Sequence, residues 1–275
     1  MSLAISERRR KHPTDRGTDP LRPAGAGGVR GPQSANAWAA AAGRQQEQLP
    51  AFAPLLEEVE LDGWSSHQRM LSGNFHDWML LNGGRVLVMV GQAVGQELCD
   101  PIETALVAQA AWTAVRAHAH HTDDAGRILT LAARTLWTNP AMNQQANVAV
   151  ALVDSVGGSA SLAIAGECLA WRARAATWEQ FDCDEPPLGA ETQFAYTAHE
   201  FAMSLRERLL LVADTTARRP AKFDATVAAD FSRLSAESHR RMTATDALSI
   251  IRRRYERAIA ADVLASASIV AVRRR

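Results

Sequence analysis

Cysteine is scarce in this chain. Cys99, Cys168 and Cys183 are its three cysteines in 275 residues. Their number is odd and no Cys-x-x-Cys spacing occurs, which excludes a disulfide framework and a structural zinc site. A reducing, cytoplasmic location is the expectation. No apolar run approaches the roughly 20 residues that a membrane span needs, and the basic, Pro- and Gly-rich start has no apolar signal segment. No membrane association is therefore expected. Net charge is absent as well, with 30 Lys and Arg against 30 Asp and Glu, so overall charge argues neither for nor against nucleic acid. The seven tryptophans are dispersed rather than grouped into a base-stacking surface, and nucleic acid is not an expected partner. Gly91-x-x-x-Gly95 is not a phosphate loop, because no Gly-Lys-Ser/Thr follows it.

Hydrophobic residues make up 47% of the chain, enough for a substantial core. Charge is uneven along it. Residues 1–33 carry Arg8, Arg9, Arg10, Lys11, Arg16, Arg22 and Arg30 against Glu7, Asp15 and Asp19, and they lack hydrophobic periodicity. We divide the chain into a disordered basic tail over 1–35 and a single domain over 36–275.

Ala37 to Gln48 is Ala- and Gln-rich and reads as a helix that stops at Leu49-Pro50. Leu55 to Leu61 reads as a strand with one wet face. Asn82-Gly83-Gly84 suits a hairpin turn between strands at Trp78–Leu81 and Arg85–Gly91, because Asn and Gly accept positive φ. Asp100, Pro101 and Glu103 form a helix start, and Ile102, Leu106, Val107, Ala110, Ala111 and Val115 form its apolar stripe to about Ala119. A second helix from Asp123-Asp124 turns Ile128, Leu129, Ala132 and Leu136 inward and ends at Asn139-Pro140. Further strands are expected at Asn147–Val153, Ser159–Ala165, Cys168–Arg172, Gln193–Thr197, Leu209–Val212 and Ser268–Val272. A helical stretch over 224–260, capped near Thr245-Asp246, separates the last two. Without regular βαβ alternation, this order predicts a layered α+β fold with antiparallel sheets. The hairpin should bring polar residues of both strands to one end.

Several short motifs then carry a resemblance. Gln46-Glu47-Gln48-Leu49-Pro50 looks like a Gln-rich lead-in helix. Ser72-Gly73-Asn74-Phe75-His76-Asp77 is similar to Gly-Asp-Phe-Tyr-Asp, and Gly91-Gln92-Ala93-Val94-Gly95 to Gly-Asp-Val-Ser-Gly. Ala165-Gly166-Glu167 resembles Ala-Gly-His, and Pro187-Leu188-Gly189 matches Pro-Leu-Gly. Leu209 to Thr215 resembles Leu-Leu-Leu-Tyr-Thr-Asp-Gly, and Ala265 to Val270 stands where Asp-Asp-x-Thr-Leu-Val is usual. From Gln45 to Arg273 the chain thus resembles the metal-dependent protein phosphatase (PPM) family, in its SpoIIE-like bacterial branch. The resemblance implies a four-layer α-β-β-α sandwich, and hydrolysis of phosphoserine or phosphothreonine with two Mg²⁺ or Mn²⁺ ions.

The departures from the pattern bear on that chemistry. Hard dications prefer charged oxygens, and two of them close together need several carboxylates. The four acidic positions implied by the resemblance read Asn74, Gln92, Asp214 and Ser266 here, so only Asp214 is acidic. Ala93 stands at a position that offers its backbone carbonyl. Asp77 is a possible compensating acid. The alternative alignments would use Glu97 or Asp100 near Gln92, or Asp262 near Ser266. The reading is therefore a degenerate metal site with no bound cofactor expected, or at most one weak site at Asp214. The first expectation is a pseudophosphatase acting in signal transduction by protein binding, its partner a phosphoprotein or a related phosphatase. The alternative is an active Ser/Thr phosphatase with an altered site. A third reading is an assembly role through the basic tail. Weaker signals are the His118, His120 and His121 group, read as a helix C-terminus, and the Asp182, Asp184, Glu185 loop.

Overall fold

The computed structural model describes residues 32–66, 71–94, 100–138, 145–174, 177–181, 183–191, 193–214, 241–261 and 266–275. Residues 1–31 of the tail, Gly95, Cys99, Asn139-Pro140, Asp182, Thr215 and the stretch 224–240 lie outside them.

Alternation of side chains along the strands builds the layers. In β3 (Arg85–Val94), Val86, Val88 and Val90 face one way and Leu87 and Met89 the other, and all are buried. Both faces of the strand are therefore covered. One five-stranded antiparallel sheet has the order β2-β3-β4-β5-β8, and the other β1-β10-β9-β6-β7. In chain order they are β1 (Val59–Ser65), β2 (Asn74–Leu81), β3, β4 (Gln145–Asp154), β5 (Ser159–Ala165), β6 (Leu169–Arg174), β7 (Thr177–Phe181), β8 (His199–Ala202), β9 (Arg208–Asp214) and β10 (Ala267–Arg274). Val88, Ala149, Leu162, Leu211 and Val270 fill the space between the sheets. Helices α2 (Pro101–Ala119) and α3 (Ala125–Trp137) cover the outer face of the β3 sheet. Helix α4 (Ala244–Ala261) covers the other outer face with Leu248, Ile251 and Tyr255. With α1 (Pro32–Gln48) leading in, this is the expected α-β-β-α sandwich.

Local chemistry sets many boundaries. Asp100 accepts from the Ile102 N–H at 2.7 Å and Asp124 from the Arg127 N–H at 3.1 Å, starting α2 and α3. Gly83 and Gly84 take φ of 77° and 76° in the hairpin turn. Helix α4 is capped two residues earlier than expected. Thr243 Oγ1 accepts from the Asp246 N–H at 3.1 Å, while Asp246 accepts from the Thr243 N–H at 2.9 Å.

Other boundaries follow tertiary pairing. The first strand runs Val59–Ser65 rather than Leu55–Leu61, because its register with β10 spans Val59↔Arg274 to Ser65↔Ser268 and leaves Leu55 100% exposed. Gln193–Thr197 is not a strand. Its Tyr196 is bonded instead to Thr130 and to the Pro186 and Pro187 carbonyls, and pairing resumes at β8. Strand β7 has no apolar alternation in its sequence and was not expected; it is an edge that pairs with β6. Phe181 of β7 stacks on Phe201 of β8 at 5.3 Å, which closes that side of the sandwich. Val107, Ala111 and Val115 of the expected α2 stripe are buried, with Ala108 and Ala114 beside them, while Ile102 and Leu106, expected in the same stripe, are exposed. Ile102 and Leu106 line a groove against Trp38 and Ala41 of α1.

Helix α3 lies so close to the loop before β8 that an added Cβ at Gly126 would stand 2.4 Å from the Tyr196 carbonyl oxygen and 2.9 Å from the Ala198 nitrogen. Both are backbone atoms and cannot rotate away. Gly126→Ala should cost about 1–3 kcal/mol, read as a lower midpoint in urea unfolding. An unchanged midpoint would mean that this helix sits farther from the loop.

Candidate functional site

The amides of the two polar motifs lie within the strands of the hairpin. Asn74 is the first residue of β2, and it stands opposite Gln92 of β3. Gln92 in turn stands opposite Asn147 of β4. Residues paired in antiparallel register point to the same face. Since Val90 and Ala149 belong to the core between the sheets, Gln92 and Asn147, two residues along, face the same space. Three amides thus form a row across three neighbouring strands at one end of the sandwich. Asn74, Gln92 and Asn147 are 1%, 6% and 4% exposed. Asn74 Oδ1 and Nδ2, Gln92 Oε1 and Asn147 Oδ1 are buried and have no hydrogen-bond partner among the described residues. Most buried polar atoms are paired, so four unpaired ones in a row mark the place.

The flanking motifs converge there. Leu188 of Pro187-Leu188-Gly189 exchanges backbone bonds of 2.8 and 3.1 Å with Ala146, the neighbour of Asn147. Gly166 takes a φ of 68°, and a Cβ on it would stand 2.0 Å from Asn147 Oδ1. The tyrosyl hydroxyl of Tyr196 bonds the carbonyls of Pro186 and Pro187 at 3.0 Å each. Burial, then nearby Glu185 and Glu191, push its pKa far above the ordinary value, so it stays a donor. From the other side Gln45 of α1 clamps the start of the first motif. Its amide gives 2.6 Å to the Ser72 carbonyl and accepts 2.8 Å from the Ser72 N–H.

The opposite sheet brings a second polar group to the same end. His76 Nδ1 lies 2.7 Å from Ser65 Oγ, which lies 2.5 Å from Ser268 Oγ. β1 comes so near β2 here that a Cβ on Gly63 would meet the His76 ring at 2.6 Å. Asp214 ends β9 at this end, in register with Ala267, and Ser266 precedes that residue. Alternation nevertheless turns Asp214 the other way. Leu210 and Val212 belong to the outer cluster under α4, and Asp214 continues their set. Its Oδ2 accepts from the Tyr255 hydroxyl of α4 at 2.6 Å.

The structure therefore brings Asn74 and Gln92 together and places Asp214 and Ser266 at the same end of the facing sheet, with Asp214 bonded outward. Asp77 does not join them. It lies on the α2 face of β2, where its Oδ2 accepts 2.7 Å from the Trp112 indole and also pairs with Arg116. Ala93 shares that helix-facing side, and its N–H donates 2.9 Å to the Gly73 carbonyl. Glu167 is exposed on its loop. His118 bonds Thr135 Oγ1 at 2.8 Å near the end of α2, away from this site, and burial and His121 lower its pKa. Glu185 is a loop fastener that accepts from the Thr197 N–H. Among the described residues no three His, Cys, Asp or Glu side chains gather as a metal-binding group. Asn147 and Tyr255 are the residues that sequence reasoning missed. The signal for Asn147 was visible as an amide at the head of the apolar run of β4.

Comparison with known proteins agrees with this architecture. The family profile of Stage II sporulation protein E (SpoIIE) matches residues 82–275. The SiaA-PP2C domain of Pseudomonas aeruginosa superposes with a TM-score of 0.66 at 14% identity, over 88% of this chain and 98% of that one. The PP2C phosphatase domain of Bacillus subtilis SpoIIE, with a fragment of its regulatory domain, gives 0.62 at 10% identity, over 79% and 63%. The RsbU and RsbW domains of a Mycobacterium tuberculosis protein give 0.60 at 18% identity, over 81% of this chain and 61% of that longer one. No curated protein sequence matches. Among the described residues no helix is long and apolar enough to cross a membrane.

Proposed function

This chain belongs to the Stage II sporulation protein E (SpoIIE) family of PPM-type phosphatase domains, and from that premise we propose that it is a pseudophosphatase, a member without catalysis that acts in signalling by binding protein. One observation carries the reading. Two positions that would hold metal, Asn74 and Gln92, are neutral amides set side by side in the core, and Asn147 extends them into a row. Amide oxygens offer dipoles where a pair of hard dications needs full negative charges. The one carboxylate at a ligand position, Asp214, is bonded to Tyr255. This donor set does not fit two Mg²⁺ or Mn²⁺ ions, so no hydrolytic step is derived through them.

A binding role fits what remains. Among the described residues, the clamp from α1 and the convergent loops meet at this end of the sandwich without the charges of a metal centre. A protein partner, either a phosphoprotein or an active relative, is supported by the similar Mycobacterium tuberculosis structure, where an RsbU domain and an RsbW domain share one chain. Calorimetric titration with Mn²⁺ and turnover of a phosphoserine peptide test the reading. We expect no saturable heat and no phosphate release. Turnover that is lost on Asp214→Asn would replace this reading with an active phosphatase of altered site.

A further inference from the structure

Asp214 and Tyr255 meet at the junction of β9 and α4, both buried. A buried carboxylate needs a charge or a strong donor to offset the loss of water. At 2.6 Å the phenol supplies a charge-assisted bond, in the range of the short, strong O–H···O⁻ class. The ring itself sits in the apolar cluster of Leu210, Val212, Leu248 and Ile251 beneath α4. The hydroxyl is therefore held by the packing of its own ring. The carboxylate is held by the alternation of β9, which turns Asp214 toward the helix.

We propose that Tyr255 has taken the place of a cation at Asp214: the pair is a strut that fixes α4 to β9, and by occupying Oδ2 it keeps a divalent ion from the last acidic ligand position. A dication approaching Oδ2 would have to displace the phenol from this short bond. The site gains little in return, because Asn74, Gln92 and Ser266 add no charge. Asp214 is then a structural acceptor and not a weak metal site. The strut stands on the hydrogen bond alone; the exclusion of a cation also rests on the assignment of Asp214 to a ligand position of the family.

Thermal unfolding of wild type, Asp214→Ala, Tyr255→Phe and the double variant, each in chelator and in millimolar Mn²⁺, tests both halves. Each single substitution should lower the midpoint by about 3–8 °C, and the double should fall no further than the worse single, since either change alone breaks the bond. Additive losses would overturn the strut. Mn²⁺ should leave the wild-type midpoint unchanged and raise that of Tyr255→Phe, with the rise absent from the double. Mn²⁺ stabilisation of the wild type, or none of Tyr255→Phe, would overturn the exclusion and leave the strut. If Asp214→Ala does not fold, Asp214→Asn with Tyr255→Phe completes the same cycle with a weaker acceptor. Turnover of a phosphopeptide by the wild type would defeat the pseudophosphatase reading without touching the coupling measured in chelator.

Discussion

Replacing Asn74, Gln92 and Ser266 together by Asp should destabilise the protein in chelator by about 3–5 kcal/mol. Asn74 and Gln92 stand directly opposite in register and are almost wholly buried. Side chains so placed have Cβ atoms roughly 5 Å apart. Two carboxylates there lose their water and repel each other, and among the described residues no basic group is bonded to either position. Their folded pKa values should rise above the unfolded ones. The folded state then holds more protons, so stability in chelator falls as pH rises from about 4 and levels off above the raised values. Mn²⁺ should return part of the loss, because three new charges suit a dication. Adding Tyr255→Phe should enlarge that recovery by releasing Asp214. Denaturant titrations of wild type and variant, with chelator or Mn²⁺ and across pH, read all of this. A wild type whose stability already depends on Mn²⁺ as strongly as the variant's would remove the premise of a neutralised site.

Glu207→Ala should cost about 2–4 kcal/mol, or a midpoint lower by roughly 5–15 °C. Glu207 is 2% exposed and lies at the far end of the sandwich from the amide row. It accepts from Arg172 at 2.9 and 3.2 Å, from Arg174, and from the Ser204 N–H at 3.0 Å. Arg172 also lies over the Phe201 ring at 4.7 Å, so it cannot swing out to water without leaving that contact. Next along the strand, Arg208 is buried, and burial together with the Arg273 charge lowers its pKa to about 10. Removing this acid leaves Arg172, whose side chain is 13% exposed, without its carboxylate among the described residues, whereas Arg174 is 61% exposed and stays hydrated. Burial by itself would raise the Glu207 carboxyl; the bonds from Arg174, Arg172 and Ser204 outweigh it and hold its pKa below the ordinary 4.5. A depressed folded pKa gives stability that is complete above the unfolded value and is lost as pH falls through the folded one. Wild type should therefore weaken below about pH 4.5, and Glu207→Gln should weaken less over that range. A Glu207→Ala loss under about 0.5 kcal/mol would show that the cluster behaves like exposed pairs.

The sequence by itself determined the architecture and the general place of the site. Apolar runs without alternation marked β4 and β9 as strands covered on both faces, and Asp100 and Asp124 marked their helix starts within a residue. These are local signals, since burial pattern and caps depend on neighbours a few residues away. The same locality explains the misses. Leu55–Leu61 alternates well enough for a strand, but partnership with β10, two hundred residues on, decided that pairing begins at Val59. Strand β7 carries no pattern of its own and forms because β6 offers an open edge. The site divides in the same way. That Asn74, Gln92 and Ser266 are neutral is written in the chain. That Asn147 completes a row with the first two required the register of three strands. That Asp77 serves α2 and Asp214 serves Tyr255 depended on which face each strand turned to which helix. A strand's period of two assigns residues to faces, but only the packing of the layers decides what each face meets.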